Sequence, residues 1–172
     1  MSAVAPMQVR VVQADYGRAD HASALVMLLD AYARDIAGGG EPLSEYAKTH
    51  LVAELAARPQ AYTVLAFDGE SPVGLVNCIE GFSTFACRPL VNVHDVAVLA
   101  SHRGRGVAAQ MLALAERLAQ QRGAVKLTLE VVSGNRNARV LYERLGFADY
   151  QLDPSMGSAM FMQKLLPPLS QA

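Results

Sequence analysis

Ser101-His102-Arg103-Gly104-Arg105-Gly106-Val107-Ala108 gathers two glycines and three basic side chains into one turn between a β-rich run and a helical one. At a helix start the first main-chain N–H groups lack intrahelical partners, and the helix dipole favours an anion there. Glycines let a phosphate approach the main chain, and arginines add charge with forked donors. Such a loop suits phosphate or pyrophosphate binding, with a solvated basic turn as the plain alternative. Gly104, Gly106 and Ala109 also satisfy the dinucleotide pattern G-x-G-x-x-A, with Glu130 downstream. Against that use, the unit begins near residue 91, and too little chain follows to build a second nucleotide-binding half.

Side chains able to move protons lie nearby in sequence. On a helix starting at Arg136, Ala138, Leu141, Tyr142 and Leu145 share one face, which turns the Tyr142 phenol inward. It is either a packed ring with its hydroxyl on a carbonyl or a proton donor. Glu130 lies on the polar side of a strand, with Lys126 and Thr128. His94 carries an imidazole suited to proton uptake near neutrality, and Glu80 sits near the end of another strand. Each of the three has a structural alternative as a hydrogen-bonded residue. His21, His50 and His102 show no spacing that suggests a metal, and Cys78 and Cys87 form neither a CxxC nor a zinc-type cluster.

The elements that must position these groups follow from periodicity. Gln8–Ala14 alternates as a strand; Asp20 caps a helix through Leu25, Leu28, Leu29 and Tyr32, ended by Gly38-Gly39-Gly40; Pro42 and Ser44 open a second helix that stops at Pro59. Ala61–Phe67 and Ser71–Phe82 form a hairpin about Asp68-Gly69-Glu70, and after an irregular stretch through Arg88-Pro89 comes a strand, Val91–Leu99. A helix through Val107, Met111, Leu114, Ala115 and Leu118 stops at Gly123. Val125–Val132 is the next strand, Arg136–Leu145 a helix, and two strand-like pieces follow at Phe147–Leu152 and Ala159–Leu165. The order predicts an α/β fold, a mixed and mostly antiparallel sheet flanked by helices, in one domain over residues 1–172, with a right-handed crossover from strand 91–99 to strand 125–132.

Composition narrows the partners. With 172 residues, 52% apolar and 18% charged, the chain can bury a core without disulfide or metal. A net charge of -1 gives no general attraction to nucleic acid or anionic membrane, and no apolar run reaches the about 20 residues of a membrane span. Residues 1–9 lack a signal-peptide pattern and the cysteines suggest no disulfide framework, so a cytoplasmic protein acting on small molecules or short peptides is expected.

Arg103-Gly104-Arg105-Gly106-Val107-Ala108 resembles the Q/R-x-x-G-x-G/A signature of the Gcn5-related N-acetyltransferase (GNAT) family, preceded here by Val96-Ala97-Val98. Asn135-Arg136-Asn137-Ala138-Arg139-Val140-Leu141-Tyr142-Glu143-Arg144-Leu145-Gly146-Phe147 resembles the family's N-x-x-A-x-x-L-Y-x-x-x-G-F block. The resemblance implies the acyl-CoA N-acyltransferase fold and transfer of an acetyl group from acetyl-CoA, without a metal, to an amine of a small molecule or peptide. A domain that binds acyl-CoA as a sensor or scaffold without turnover is the alternative. By the same resemblance the main chain of Arg103, Gly104, Arg105, Gly106, Val107 and Ala108 cradles the pyrophosphate. Val96 and Val98 pair with the pantetheine arm, and Asn135 and Ala138 line the other wall. Tyr142 matches the family's general acid. The Leu-Glu-Val setting of Glu130 resembles the branch that acetylates peptide N-termini, where that Glu can act as base. His94 stands where many small-amine acetyltransferases carry a carboxylate, so the base is left open among Glu130, His94 and Glu80. The variable first two helices and loop 82–90 would set the acceptor, and a homodimer is left open by the habits of the family.

Overall fold

The apolar run Ala61–Asp68 (β2) is buried at every position but the last, the pattern of a strand covered on both faces. The computed structural model describes residues 9–151 and 153–166, and by its contacts the chain divides into two compact units, Met1–Asn135 and Arg136–Ala172. The first unit holds a five-stranded sheet in the order β1-β2-β3-β4-β5. The remaining strands are β1 (Arg10–Gln13), β3 (Ser71–Ser83), β4 (Arg88–Val98) and β5 (Leu127–Leu129). All neighbours are antiparallel except β4 and β5, which are parallel and joined through α3 (Val107–Gln121).

The β2–β3 connection is the tight turn expected at Gly69, whose φ of 58° suits glycine. β4 starts three residues before the expected strand: Arg88 and Pro89 pair with Ser83 and Phe82. Proline lowers the strand signal because it cannot donate to a ladder, but the long β3 partner overrides that local preference.

Two helices, α1 (Ala19–Arg34) and α2 (Glu45–Ala56), cover one face of the sheet. Leu25 and Leu28 of α1 are fully buried against Leu65, Phe67, Leu75 and Ala97, with Leu51, Val52 and Leu55 of α2 packed at the margin. Ser44 caps α2 by accepting from the Ala47 N–H at 3.1 Å, as expected. α1 differs: its N-cap is Arg18, without a side-chain cap bond, and Asp20 lies in the first turn, paired with the Arg18 guanidinium. Asp20 thus favours the helix by charge near the dipole's positive end instead of by capping. α3 covers the opposite face. Tyr62 donates to the Ala115 carbonyl at 2.9 Å, and Gly74 leaves room for Met111, whose Cε would stand 2.7 Å from a Cβ placed there.

β5 is three residues long instead of the expected eight-residue strand 125–132, and Val125, Val131 and Val132 are exposed. Its partner bends away beyond Val93, so later residues have no ladder to join. In the second unit, α4 (Arg136–Arg144) ends at Gly146 in the left-handed region, φ 92°, and the Tyr142 ring stands edge-on to Phe147 at 5.9 Å. Among the described residues the two further strands do not form: 147–151 and 159–165 carry no ladder pairing, and Leu152 lies outside the described residues. A β-prone run becomes a strand only where a neighbouring edge pairs with it.

Leu28→Ala should cost about 2–5 kcal/mol, because it empties the centre of the layer between α1 and the sheet. Denaturant unfolding monitored by circular dichroism would check this, with a lower midpoint at unchanged slope as the expected result.

Candidate functional site

Alternation along β3 sends Leu75, Asn77 and Ile79 toward α1 and α2, while Gly74, Cys78 and Glu80 face α3. At the third strand the register slips: Asn77 pairs with Asp95 but Cys78 pairs with Val93, so His94 is an extra residue in β4. Such a bulge bends its strand and raises the local twist. The parallel ladder to β5 accordingly stops at Val93–Leu129, while β4 continues to Val98. The Leu99 N–H bonds back to Val73 in β3, so by alternation the main-chain groups of Val96 and Val98 face the side that β5 has left.

The glycine loop follows at once. Gly104 and Gly106 have φ of 73° and 80°, a region L side chains rarely adopt, and Gly106 is the N-cap of α3 with no side-chain cap bond. The loop's basic residues divide their work. Arg103 is held by the chain itself, donating from Nε to the Val98 carbonyl at 2.9 Å and from Nη2 to Asp35 at 2.8 Å. The Ala37 N–H and the Arg103 guanidinium together hold the Asp35 carboxyl below its usual range. His102 lies between Ser101 and Asp68, at 2.8 and 3.3 Å. Arg105 forms no ion pair among the described residues and remains the guanidinium available to an anion.

Two of the three candidate bases come together. Asn92 donates from Nδ2 to Thr128 at 3.2 Å and to both Glu130 oxygens at 3.3 and 3.4 Å. A carboxylate only accepts, which turns the amide so that Asn92 Oδ1 faces His94 Nδ1 at 3.2 Å. In the neutral ring the proton then sits on Nδ1, and Nε2 keeps its lone pair. Glu80 is elsewhere, on the α3 face, ion-paired to Arg122 at 3.2 Å. Asn135 closes a turn through its N–H to the Val132 carbonyl at 2.9 Å, whereas Ala138 and Tyr142 belong to α4 in the second unit.

The α1/α2 face also carries a feature without a sequence signature. A cavity of about 490 Å³ is lined by residues of α1, α2, β3, β4 and the turns beside the helices, with His94, Asp95 and Asn77 among its polar lining residues. No motif marks Asp95 or Asn77; what identifies them is the strand register. A wider groove of about 600 Å³ lies between α1 and α2, but its Asp30 is already bound to Arg34 at 2.9 Å and to Lys48 at 3.7 Å. Among the described residues no group of three or more His, Cys, Asp or Glu is arranged to hold a metal ion, and no helix is long and apolar enough to cross a membrane.

A family model described as "Acetyltransferase (GNAT) family" matches residues 25–147, spanning both the opened strand and the glycine loop. The chain belongs to the GNAT acetyltransferase family. GNAT proteins use acetyl-CoA. Streptothricin acetyltransferase of Streptomyces lavendulae is 33% identical over 87 residues, 49% of this chain and 46% of that protein, so the match spans under half of the relative's length. The fold is shared more widely. A crystal structure of a probable acetyltransferase superposes with a TM-score of 0.73 at 23% identity, covering 94% of this chain and 99% of that one. AAC(6')-Iy, solved with the bisubstrate analog CoA-S-monomethyl-acetylneamine, gives 0.71 at 19% identity, covering 93% and 100%.

Of the two thiols only Cys87 is open to solvent. Cys78 is fully buried beside Tyr62 on the α3 face, and burial pushes its thiol up to about 12. Cys87 is exposed in the β3–β4 turn. Iodoacetamide at mildly alkaline pH should therefore modify Cys87 alone in the folded protein, and both cysteines after urea unfolding. Mass spectrometry of the adducts checks this; rapid native labelling of Cys78 would contradict its burial.

Proposed function

We propose that this GNAT protein is an acetyl-CoA-dependent N-acetyltransferase that moves an acetyl group directly to a primary amine of a small molecule or peptide. The observation that carries the reading is the opened edge of β4. The ladder to β5 ends at Val93, and the outward main chain beyond it runs into a left-handed glycine turn at an uncapped helix start. On this reading residues 1–172 work as one domain. Cys78 and Cys87 are free, which suits a reducing compartment, and we assign the activity to the cytoplasm.

The proposed roles follow from the chemistry of each group. The main chain of residues 103–108, with the Arg105 guanidinium, receives the pyrophosphate. Val96 and Val98 offer strand-like pairing to the pantetheine arm, the Val98 carbonyl being shared with Arg103. From the motif they fill, Asn135 and Ala138 are assigned to coenzyme binding as well. Bound acetyl-CoA supplies an activated thioester acyl group. An alkylamine, with a pKa near about 10.4, arrives protonated and must lose a proton before it can attack. His94 Nε2 takes that proton, with Asn92 and Glu130 as positioning residues that hold the ring and its tautomer. The Tyr142 hydroxyl protonates the departing sulfur.

Thiol release from acetyl-CoA across a panel of amines tests the activity. Tight coenzyme binding without turnover on any amine would instead make the chain an acyl-CoA sensor. Gly106→Glu should abolish coenzyme A binding in a folded protein, because the substitution puts an anion and a strained residue where the phosphates belong. Calorimetric titration checks it, and unchanged affinity would overturn the phosphate role of the loop. Arg103→Ala should weaken binding less, since main-chain donors remain.

Tyr142→Phe keeps the ring and removes only the hydroxyl. The expected result is a turnover lower by about 10²–10⁴-fold with little change in coenzyme affinity. A purely structural hydroxyl would instead show as a stability loss of about 1 kcal/mol with most of the rate kept. Pre-steady-state measurement of the transfer step, paired with melting curves, separates the two.

A further inference from the structure

Four side chains in the first unit form a hydrogen-bonded row across the sheet on its α1/α2 face. Tyr16 and Thr63 meet at 3.0 Å between their hydroxyls, Thr63 donates to Asn77 Oδ1 at 2.6 Å, and Asn77 Nδ2 donates to Asp95 Oδ2 at 3.0 Å. Thr63 has a single proton and gives it to Asn77, so the Tyr16 hydroxyl must be the donor to Thr63. Every donor in the row thus points the same way. A one-way chain of donors needs an acceptor at its end, and the ionised carboxylate of Asp95 is that acceptor. Thr63 and Asn77 are 0% and 4% exposed, a costly burial of polar groups that the row itself compensates.

The row fixes one oxygen of Asp95. The other, Oδ1, has no partner among the described residues, and Asp95 lines the cavity of about 490 Å³. The charges around that cavity do not otherwise call for a counter-ion. Glu54 and Arg58 at its margin neutralise each other, Nη1 to Oε2 being 2.6 Å. Leu29, Ala33, Leu43, Leu51, Leu55 and Ile79 make most of the remaining wall apolar, and the Tyr32 hydroxyl, also in the lining, donates to the Ala37 carbonyl at 3.5 Å. One unneutralised carboxylate facing an apolar chamber matches one cation on an apolar body. A polycation would leave further ammonium groups against leucines, at a desolvation cost nothing there offsets.

Resting on the acetyltransferase reading above, we propose that Asp95 anchors the ammonium group of the acceptor, and that the acceptor is a compact monoamine with an apolar body. Bound to Asp95, the ammonium lies in the cavity that His94 also lines.

The test uses the full chain with n-hexylamine and 2-phenylethylamine as probes. Hexan-1-ol is the neutral control, with spermidine, neamine and a short unblocked peptide as rival classes. Each is followed by thiol release from acetyl-CoA and by calorimetric binding to the coenzyme-A-loaded chain; coenzyme A is also titrated alone. The monoamines should bind and react while hexan-1-ol does not bind. Asp95→Asn should raise their KM and Kd by about 10- to 100-fold, the range for loss of a hydrogen bond to a charged group, with coenzyme affinity unchanged. Absence of coenzyme binding would overturn the acetyltransferase reading. Coenzyme binding together with a preference for spermidine, neamine or the peptide, or with unchanged monoamine affinity in folded Asp95→Asn, would overturn this inference alone. Should Asp95→Asn fail to fold, equal binding of hexylamine and hexan-1-ol by the unaltered chain would overturn it as well.

Discussion

The structure of the first unit depends on how far β4 can pair. Along β3 it is paired over its whole length, but along β5 for three residues, because the extra residue His94 bends it out of the parallel ladder. A backbone N–H or C=O must find a partner in protein, ligand or water. An interior strand with one free edge is therefore a place where polar main chain is left without a sheet partner beside a packed core. β3 holds the strand in place while β5 releases it, so the opening is rigid on one side.

The same bulge sorts the polar side chains. Before it, Asn92 shares a face with Thr128 and Glu130 and presents its carbonyl to His94; after it, Asp95 comes back into register opposite Asn77. The result is two separate hydrogen-bonded rows on one face. One ends in an imidazole whose proton position is set by an amide and a carboxylate. The other runs from the half-buried Tyr16 phenol to the Asp95 carboxylate, and burial raises the Tyr16 pKa, which keeps that phenol a donor. Thr63 and Asn77 in the second row gain strength from the low dielectric of their buried setting, and both rows lose their direction if one amide turns over.

Arg103 links this architecture to the loop that follows. Its guanidinium ties the end of β4 to Asp35, which itself accepts from the Ala37 N–H at the turn after α1. Gly38, in that turn, lines the same cavity as Asp95. The signature arginine thus fastens the wall of one pocket to the glycine loop, and Arg105 is left with its charge toward solvent.

Local chemistry made much of the chain legible from its sequence. The helical spacing of Leu25 and Leu28, the Ser44 cap, the turn at Gly69 and the glycine loop before Val107 each depend on residues within a few positions of one another, where propensity and pattern act directly. The family, too, was readable, because its two motifs are contiguous. Non-local pairing decided the rest. The strands expected at 147–152 and 159–165 had the composition but no ladder among the described residues, β4 began earlier than its proline suggested, and β5 ended where its partner turned away. Glu130 and His94 were separate candidates until Asn92 joined them, and Glu80 stood beside them until strand parity put it on the other face with Arg122. Asp95 had no signal at all, since what distinguishes it is a row of partners from three other strand or loop segments. A sequence records residue types and local spacing; which oxygen faces which amide across a sheet is set by register, and a single bulge reverses it.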